Sequence, residues 1–125
     1  MSGAPSDLVV QTVLHPCGWW VMVPVEVAGT ATVELVLDTG SLLSGISEAT
    51  REMLATGGLL SEAGERRFLL RNLTIQGQPA PDLVVRVSRR VAQAGARGVL
   101  GLDFLGKFTD IHFHMPSMRL TLTRG

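Results

Sequence analysis

In Leu35-Val36-Leu37-Asp38-Thr39-Gly40-Ser41, three apolar residues run straight into an acid, a hydroxyl, a glycine and a second hydroxyl. An aspartate that ends an apolar strand is delivered to the edge of a packed core, where partial desolvation makes its proton affinity adjustable. Thr39 and Ser41 can donate hydroxyl hydrogen bonds to its oxygens. Gly40 can take backbone angles closed to other residues, so its amide can turn back toward the carboxylate. A carboxylate held in this way can serve as an acid or a base. The same residue types also suit an ordinary strand-ending turn, so the segment needs a second motif beside it to carry chemistry.

That second motif is Gly98-Val99-Leu100-Gly101-Leu102-Asp103-Phe104-Leu105, about sixty residues further on. An apolar-apolar-Gly strand leading into a short helix, together with Asp-Thr-Gly, resembles the retropepsin-like aspartic proteases, the single-domain relatives of the retroviral enzymes. The resemblance spans Val21 to Leu122. It implies a mainly β fold, half of a closed acid-protease barrel, with a short helix before the C-terminal strands and a terminal hairpin over Ile111 to Leu122. It also implies that Val99, Leu100 and Gly101 thread beside an active-site loop of Asp38, Thr39, Gly40 and Ser41 in a ψ-shaped motif. Asp38 would be the catalytic acid. Ser41 matches the Asp-Thr-Gly-Ser form of the pepsins, in which this hydroxyl bonds the carboxylate.

One such loop makes the chemistry depend on assembly. Two carboxylates about 3 Å apart share one proton because like charges at that distance cannot both ionise easily. The chain has no second Asp-Thr-Gly or Asp-Ser-Gly. Asp103 reads as a helix cap and Asp110 opens the last strand pair, so the second Asp38 is expected from another copy in a two-fold homodimer. The terminal strands, with exposed ladder edges, are the expected interface. The substrate implied is a peptide or protein, and no cofactor is implied. The flap that covers it in the family falls here on Glu62, Ala63, Gly64 and Glu65, a more charged and less glycine-rich tip than in retroviral members. A flap of that kind leaves a second class open, a weakly catalytic or inactive module of the same fold used for dimerisation or peptide binding.

Other chemistry has less support. His112 and His114 share one face of a strand, but two ligands do not make a metal site, and none is expected. Cys17, the only cysteine, is expected in the core, and Trp19 and Trp20 on opposite faces. At 125 residues, 46% hydrophobic and 18% charged, the chain suits one domain over residues 1–125, with residues 1–7 expected to be disordered. A formal charge of zero gives no sign of a nucleic-acid or anionic-membrane partner. No run approaches the roughly 18 apolar residues of a membrane span. Without a basic segment and apolar stretch at its start, the chain is expected in the cytoplasm. Lys107 is the only lysine among eleven basic residues, a bias of GC-rich bacterial genomes.

The elements that must position Asp38 follow from period-two patterning. Val21, Val23, Val25 and Val27 predict a strand with one buried face. Ala28-Gly29-Thr30 predicts a turn, and Val33, Leu35 and Leu37 predict a returning strand that aims Asp38. Pro24 predicts an edge or a bulge. Leu8 to Leu14 predicts a terminal strand, closed by a break at His15-Pro16-Cys17-Gly18. A helix is expected over Ser47 to Ala55 with Ser47 as its cap, and another from Asp103 to Lys107. Residues 59–71 predict a hairpin with a polar tip. Leu73-Thr74-Ile75 and Leu83 to Val87 predict a strand pair around Gln76-Gly77-Gln78-Pro79, and Arg89 to Arg97 a loop.

Overall fold

The computed structural model describes residues 7–16, 20–93 and 95–124. In chain order its elements are β1 (Leu8–Gln11), β2 (Val13–Leu14), β3 (Val21–Val27), β4 (Ala31–Leu37), β5 (Gly45–Ile46) and α1 (Glu48–Thr56), then β6 (Ser61–Gly64), β7 (Arg67–Leu70), β8 (Leu73–Ile75), β9 (Gln78–Ala80) and β10 (Leu83–Val87), and finally α2 (Arg89–Gln93), β11 (Gly98–Leu100), α3 (Leu102–Leu105), β12 (Asp110–His114) and β13 (Arg119–Thr123). Cys17 and Trp19 lie outside the described residues, as do residues 1–6 of the expected disordered start. Asp7 accepts the Arg124 N–H at 3.2 Å.

Alternation builds the centre of the molecule. Val23, Val25 and Val27 of β3 and Val33 and Leu35 of β4 are buried on one face, in a cluster shared with Ile46, Leu54, Leu100, Phe104 and Leu120. Ala28 and Gly29 take φ of 52° and 68°, and the Thr30 N–H donates to the Val27 carbonyl at 3.0 Å. Ala28, Gly29 and Thr30 thus form the three-residue loop of an antiparallel hairpin. β3 and β4 then pair along their whole length, from Met22↔Val36 to Val27↔Ala31. Pro24 sits opposite Glu34, and on the other edge of β3 it falls in the gap between β2, which ends its pairing at Met22, and β8, which begins at Glu26. The strand tolerates proline there because that stretch of edge carries no ladder.

The main sheet runs β6-β7-β10-β5-β11-β4-β3-β8-β9, with β2 added beside β3, and a second sheet runs β1-β13-β12. Leu8 to Leu14 is therefore not one strand. It bends at Thr12, whose N–H and hydroxyl both donate to the Met118 carbonyl, so β1 joins the small sheet and β2 the large one. Gln76 and Gln78 weld the two together. Their side-chain amides each donate to and accept from the backbone of Gln11 and Val9 respectively, at 2.7–3.0 Å, as a neighbouring strand would.

Two further expectations need correction. Leu73–Ile75 pairs with Gln78–Ala80 around a Gln76-Gly77 turn at φ 51° and 80°, while β10 pairs with β7 and β5 instead. Pro79 is accommodated because β9 is the edge of the sheet. The expected loop from Arg89 to Arg97 opens with α2, one short turn of helix whose sequence carries no amphipathic stripe to reveal it. The helix expected over Ser47 to Ala55 is present as α1, and the Ser47 hydroxyl accepts the Thr50 N–H as its cap.

Candidate active site

β4 delivers Asp38 half-buried at the mouth of an open cavity. One carboxylate oxygen, Oδ1, accepts the Gly40 N–H at 2.8 Å, and the other, Oδ2, accepts the Ser41 hydroxyl at 2.8 Å. Together the two bonds fix the plane of the carboxylate. Gly40 earns its place through space, since a Cβ there would stand 3.1 Å from Asp38 Oδ1. Its φ is not positive, which corrects the expectation that it would use angles closed to other residues. Thr39 lies exposed beside it.

The turn is held from behind by β11. Val99 and Leu100 pair in parallel with Val36 and Leu37, and Gly98 and Val99 pair antiparallel with Ile46 and Gly45. The Asp38 N–H donates to the Leu100 carbonyl at 3.0 Å. At the end of β11 the chain passes so close to the Asp38 loop that a Cβ on Gly101 would lie 2.7 Å from the Ser41 carbonyl oxygen and 2.8 Å from the Leu43 carbonyl carbon. Gly101 has an extended backbone at φ −100°, so the requirement is again space rather than conformation. The expected grouping of Val99, Leu100 and Gly101 with Asp38, Thr39, Gly40 and Ser41 is thus what the fold brings together.

Sequence reasoning did not foresee how the loop is tied to the helix. α3 runs over Leu102–Leu105, and Gly101, not Asp103, is its N-cap. Its first N–H groups donate instead to the loop, Leu102 to the Ser41 carbonyl at 2.8 Å and Asp103 to the Leu42 carbonyl at 3.0 Å. The Asp103 carboxylate is thereby turned onto Ser44, accepting its hydroxyl at 2.7 Å and its N–H at 2.9 Å. Ser44 is 1% exposed, and its oxygen also accepts the Gly101 N–H at 3.0 Å. A serine after the apolar pair Leu42-Leu43 gave no signal of this role, because its partners are 57 and 59 residues away.

The cavity in front of Asp38 measures about 570 Å³. Val36, Val91 and Ala96 are buried in its floor beside half-buried Trp20 and Val99. Arg86 from β10 and Arg90 from α2 stand on its wall, and Asp38 is the one carboxylate among the lining residues. The polar-tipped hairpin forms as expected from β6 and β7, with the pairing shifting between Glu62 and Gly64 and a turn at Glu65 and Arg66. Gly64 adopts φ 132° there. None of Glu62, Ala63, Gly64 and Glu65 lines the Asp38 cavity in the single chain; Glu65 lines an adjoining hollow of about 280 Å³ with Arg66, Arg67, Arg86 and Val87. His112 and His114 are exposed on β12, and among the described residues no group of three or more His, Cys, Asp or Glu side chains could hold a metal ion. No helix among them is long and apolar enough to cross a membrane.

No protein-family model matches the chain, and no curated protein matches it by sequence. Its fold is nevertheless found among solved structures. A retropepsin-like aspartic protease from Rickettsia conorii superposes with a TM-score of 0.63 at 16% identity, over 99% of this chain and 95% of that one. The retroviral protease-like domain of Ddi1 from Leishmania major gives 0.56 at 15% identity, over 81% of this chain and 88% of that one. The chain has the retropepsin-like fold.

Proposed function

We propose that this retropepsin-like chain is an aspartic endopeptidase that works as a homodimer and hydrolyses peptide bonds between two Asp38 carboxylates, one from each copy. The observation that carries the reading is the carboxylate of Asp38, bonded once at each oxygen and placed at the mouth of a cavity with no other acid on its wall. A lone carboxylate there is half of a proton-sharing pair. With one proton on the pair, the ionised member takes a proton from water as it attacks the substrate carbonyl, and the protonated member polarises that carbonyl. The tetrahedral intermediate then collapses as the leaving amine is protonated. Val99, Leu100 and Gly101 keep the loop from shifting, Thr39, Gly40 and Ser41 shape it, and Glu62, Ala63, Gly64 and Glu65 form the tip of the hairpin that closes over the peptide.

The second copy needs an edge on which to dock. β1 is covered by the Gln76 and Gln78 amides, whereas β12 ends the small sheet and exposes Ile111. An unpaired strand edge with an apolar residue on it is suited to pairing with its symmetry mate. The test is digestion of a peptide library by the wild-type protein between about pH 4 and 7, where such a pair holds one proton. Cleavage should fall by orders of magnitude in Asp38→Asn, which keeps shape but cannot form the pair. A hydroxyl-bearing transition-state analogue should inhibit the wild type. Undiminished cleavage by Asp38→Asn would refute the assignment. A wild type inert to the whole library would leave the non-catalytic module as the better account.

A further inference from the structure

The formal charge of zero conceals a strong internal asymmetry. Residues 66–97 contain seven of the eleven basic residues and a single acid, Asp82. Two of these arginines, Arg86 and Arg90, line the Asp38 cavity, and Arg86 continues into the adjoining hollow with Arg66 and Arg67. A cationic strip therefore runs from the tip of the β6–β7 hairpin to the carboxylate. Among the described residues the ion pairs all belong to Arg51, and neither Arg86 nor Arg90 takes part in one there. Glu65 is the one acid lining the adjoining hollow.

The strip is also costly to the fold. Arg86 of β10 lies directly opposite Arg67 of β7 in the antiparallel register, and like charges placed so oppose strand pairing. Local conflict of this kind, with Glu65 the one acid lining the hollow, marks a surface shaped for something outside the chain. The floor beneath the cations is apolar, formed by Val36, Val91 and Val99. An occupant that suits both has an apolar stem and an anionic end. Arginine is the side chain best matched to that end, because its planar fork can grip a carboxylate with two parallel hydrogen bonds.

We propose that the cavity beside Asp38 selects peptides carrying a glutamate next to the scissile bond, with Arg86 and Arg90 as the specificity-determining residues. This rests on the reading of the cavity as a peptide cleft and names the class of peptide that enters it. The glutamate lays its methylenes on the Val36, Val91 and Val99 floor and its carboxylate on the guanidinium groups. A peptide is favoured over a nucleic acid because the cations share the wall with Asp38, whose charge repels phosphates, and with the apolar side chains of Val36, Val91 and Val99.

The test separates binding from cleavage. Fluorescein-labelled short apolar peptides, each with a single Glu or a Gln in its place scanned through every position, are titrated by anisotropy into the full-length Asp38→Asn protein at pH 6, where a glutamate side chain is ionised. At one or two positions Glu should bind about tenfold tighter than Gln, as a charge-assisted contact in a partly desolvated site would give. Raised salt should shrink the ratio. The ratio should fall below about twofold when Arg86→Gln and Arg90→Gln are added together, and should persist with Arg119→Gln, which removes an exposed charge on β13. Circular dichroism checks that each variant remains folded. Equal binding of Glu and Gln peptides, a preference that survives the double substitution, or no binding at all overturns the proposal. So does displacement of the peptide by a single-stranded oligonucleotide at similar concentration. Cleavage of the same pairs by wild type reports on the chemistry separately. Cleavage without preference rejects the selection and keeps the peptidase, whereas preference in binding without any cleavage rejects the peptidase and keeps the selection.

Discussion

Gly101→Ala tests most sharply whether the Asp38 loop depends on close threading. The added Cβ would meet the Ser41 oxygen at 2.7 Å, the Leu43 carbon at 2.8 Å and the Leu43 oxygen at 2.9 Å, all of them backbone atoms. No side chain can swing away to relieve the contact, so the loop and β11 must separate. Gly98→Ala is blocked as well, by the end of the buried Leu35 side chain and by the Gly45 carbonyl oxygen at 2.8 Å. Gly77→Ala is the control. It meets nothing within 4 Å and costs only its left-handed φ of 80°. Overpacking against fixed backbone costs about 3 kcal/mol at the upper end of its usual range, against about 1 kcal/mol for the strained φ. With an unfolding entropy of about 0.26 kcal/mol/K for a chain of this length, Gly101→Ala should melt about 11 °C below wild type and Gly77→Ala about 4 °C below. Peptide cleavage, measured well below both midpoints, should be lost in Gly101→Ala and kept in Gly77→Ala, since only the first moves Asp38. A Gly101→Ala protein that melts no lower than Gly77→Ala and cleaves normally would refute the threading argument.

Ser44→Ala removes the hydroxyl between Gly101 and Asp103, leaving the buried Gly101 N–H without its acceptor and Asp103 Oδ1 with the Phe104 N–H alone. The expected loss is about 2–4 kcal/mol of stability by chemical denaturation, with activity reduced because the loop loses its tie to α3. The hydrogen bond from Arg51 lowers the Glu48 carboxyl below its ordinary pKa, outweighing the opposing desolvation. A depressed folded-state pKa contributes stability above the unfolded value that is lost as pH falls through the folded one. Glu48→Gln should therefore melt lower than wild type at neutral pH, and the two curves should merge in acid below the carboxylate range.

Much of the site could be read from the chain because it is local. Three apolar residues before Asp38 announce a buried strand, Gly40 and Ser41 are close enough in sequence to reach its carboxylate, and Ser47 caps the helix beginning one residue later. The ψ threading was legible only through the family resemblance carried by Val99, Leu100 and Gly101, and the structure supplies its reason, since a Cβ on Gly101 would meet the backbone of Ser41 and Leu43. What escaped reading is long-range. Asp103 has the look of a cap, and only the crossing of β11 over the loop turns it toward Ser44. The pairing of β8 with β9 instead of β10 was hidden by Pro79, which argues against a strand until its place at the sheet edge is known. Arg86 and Arg67 are separated by nineteen residues; their confrontation is a matter of register between β10 and β7, which sequence spacing does not report.

The central claim is that two copies each supply one Asp38 to a shared site, and mixing copies tests it directly. Wild-type protein is unfolded and refolded with an equal amount of Asp38→Asn so that subunits combine at random, and peptide cleavage is compared with the same total amount of wild type alone. If each site needs both carboxylates, only dimers of two wild-type copies are active, and the rate should fall to about a quarter. A rate of about one half, linear in the wild-type fraction, would mean that a single chain carries the whole reaction, and would contradict the account.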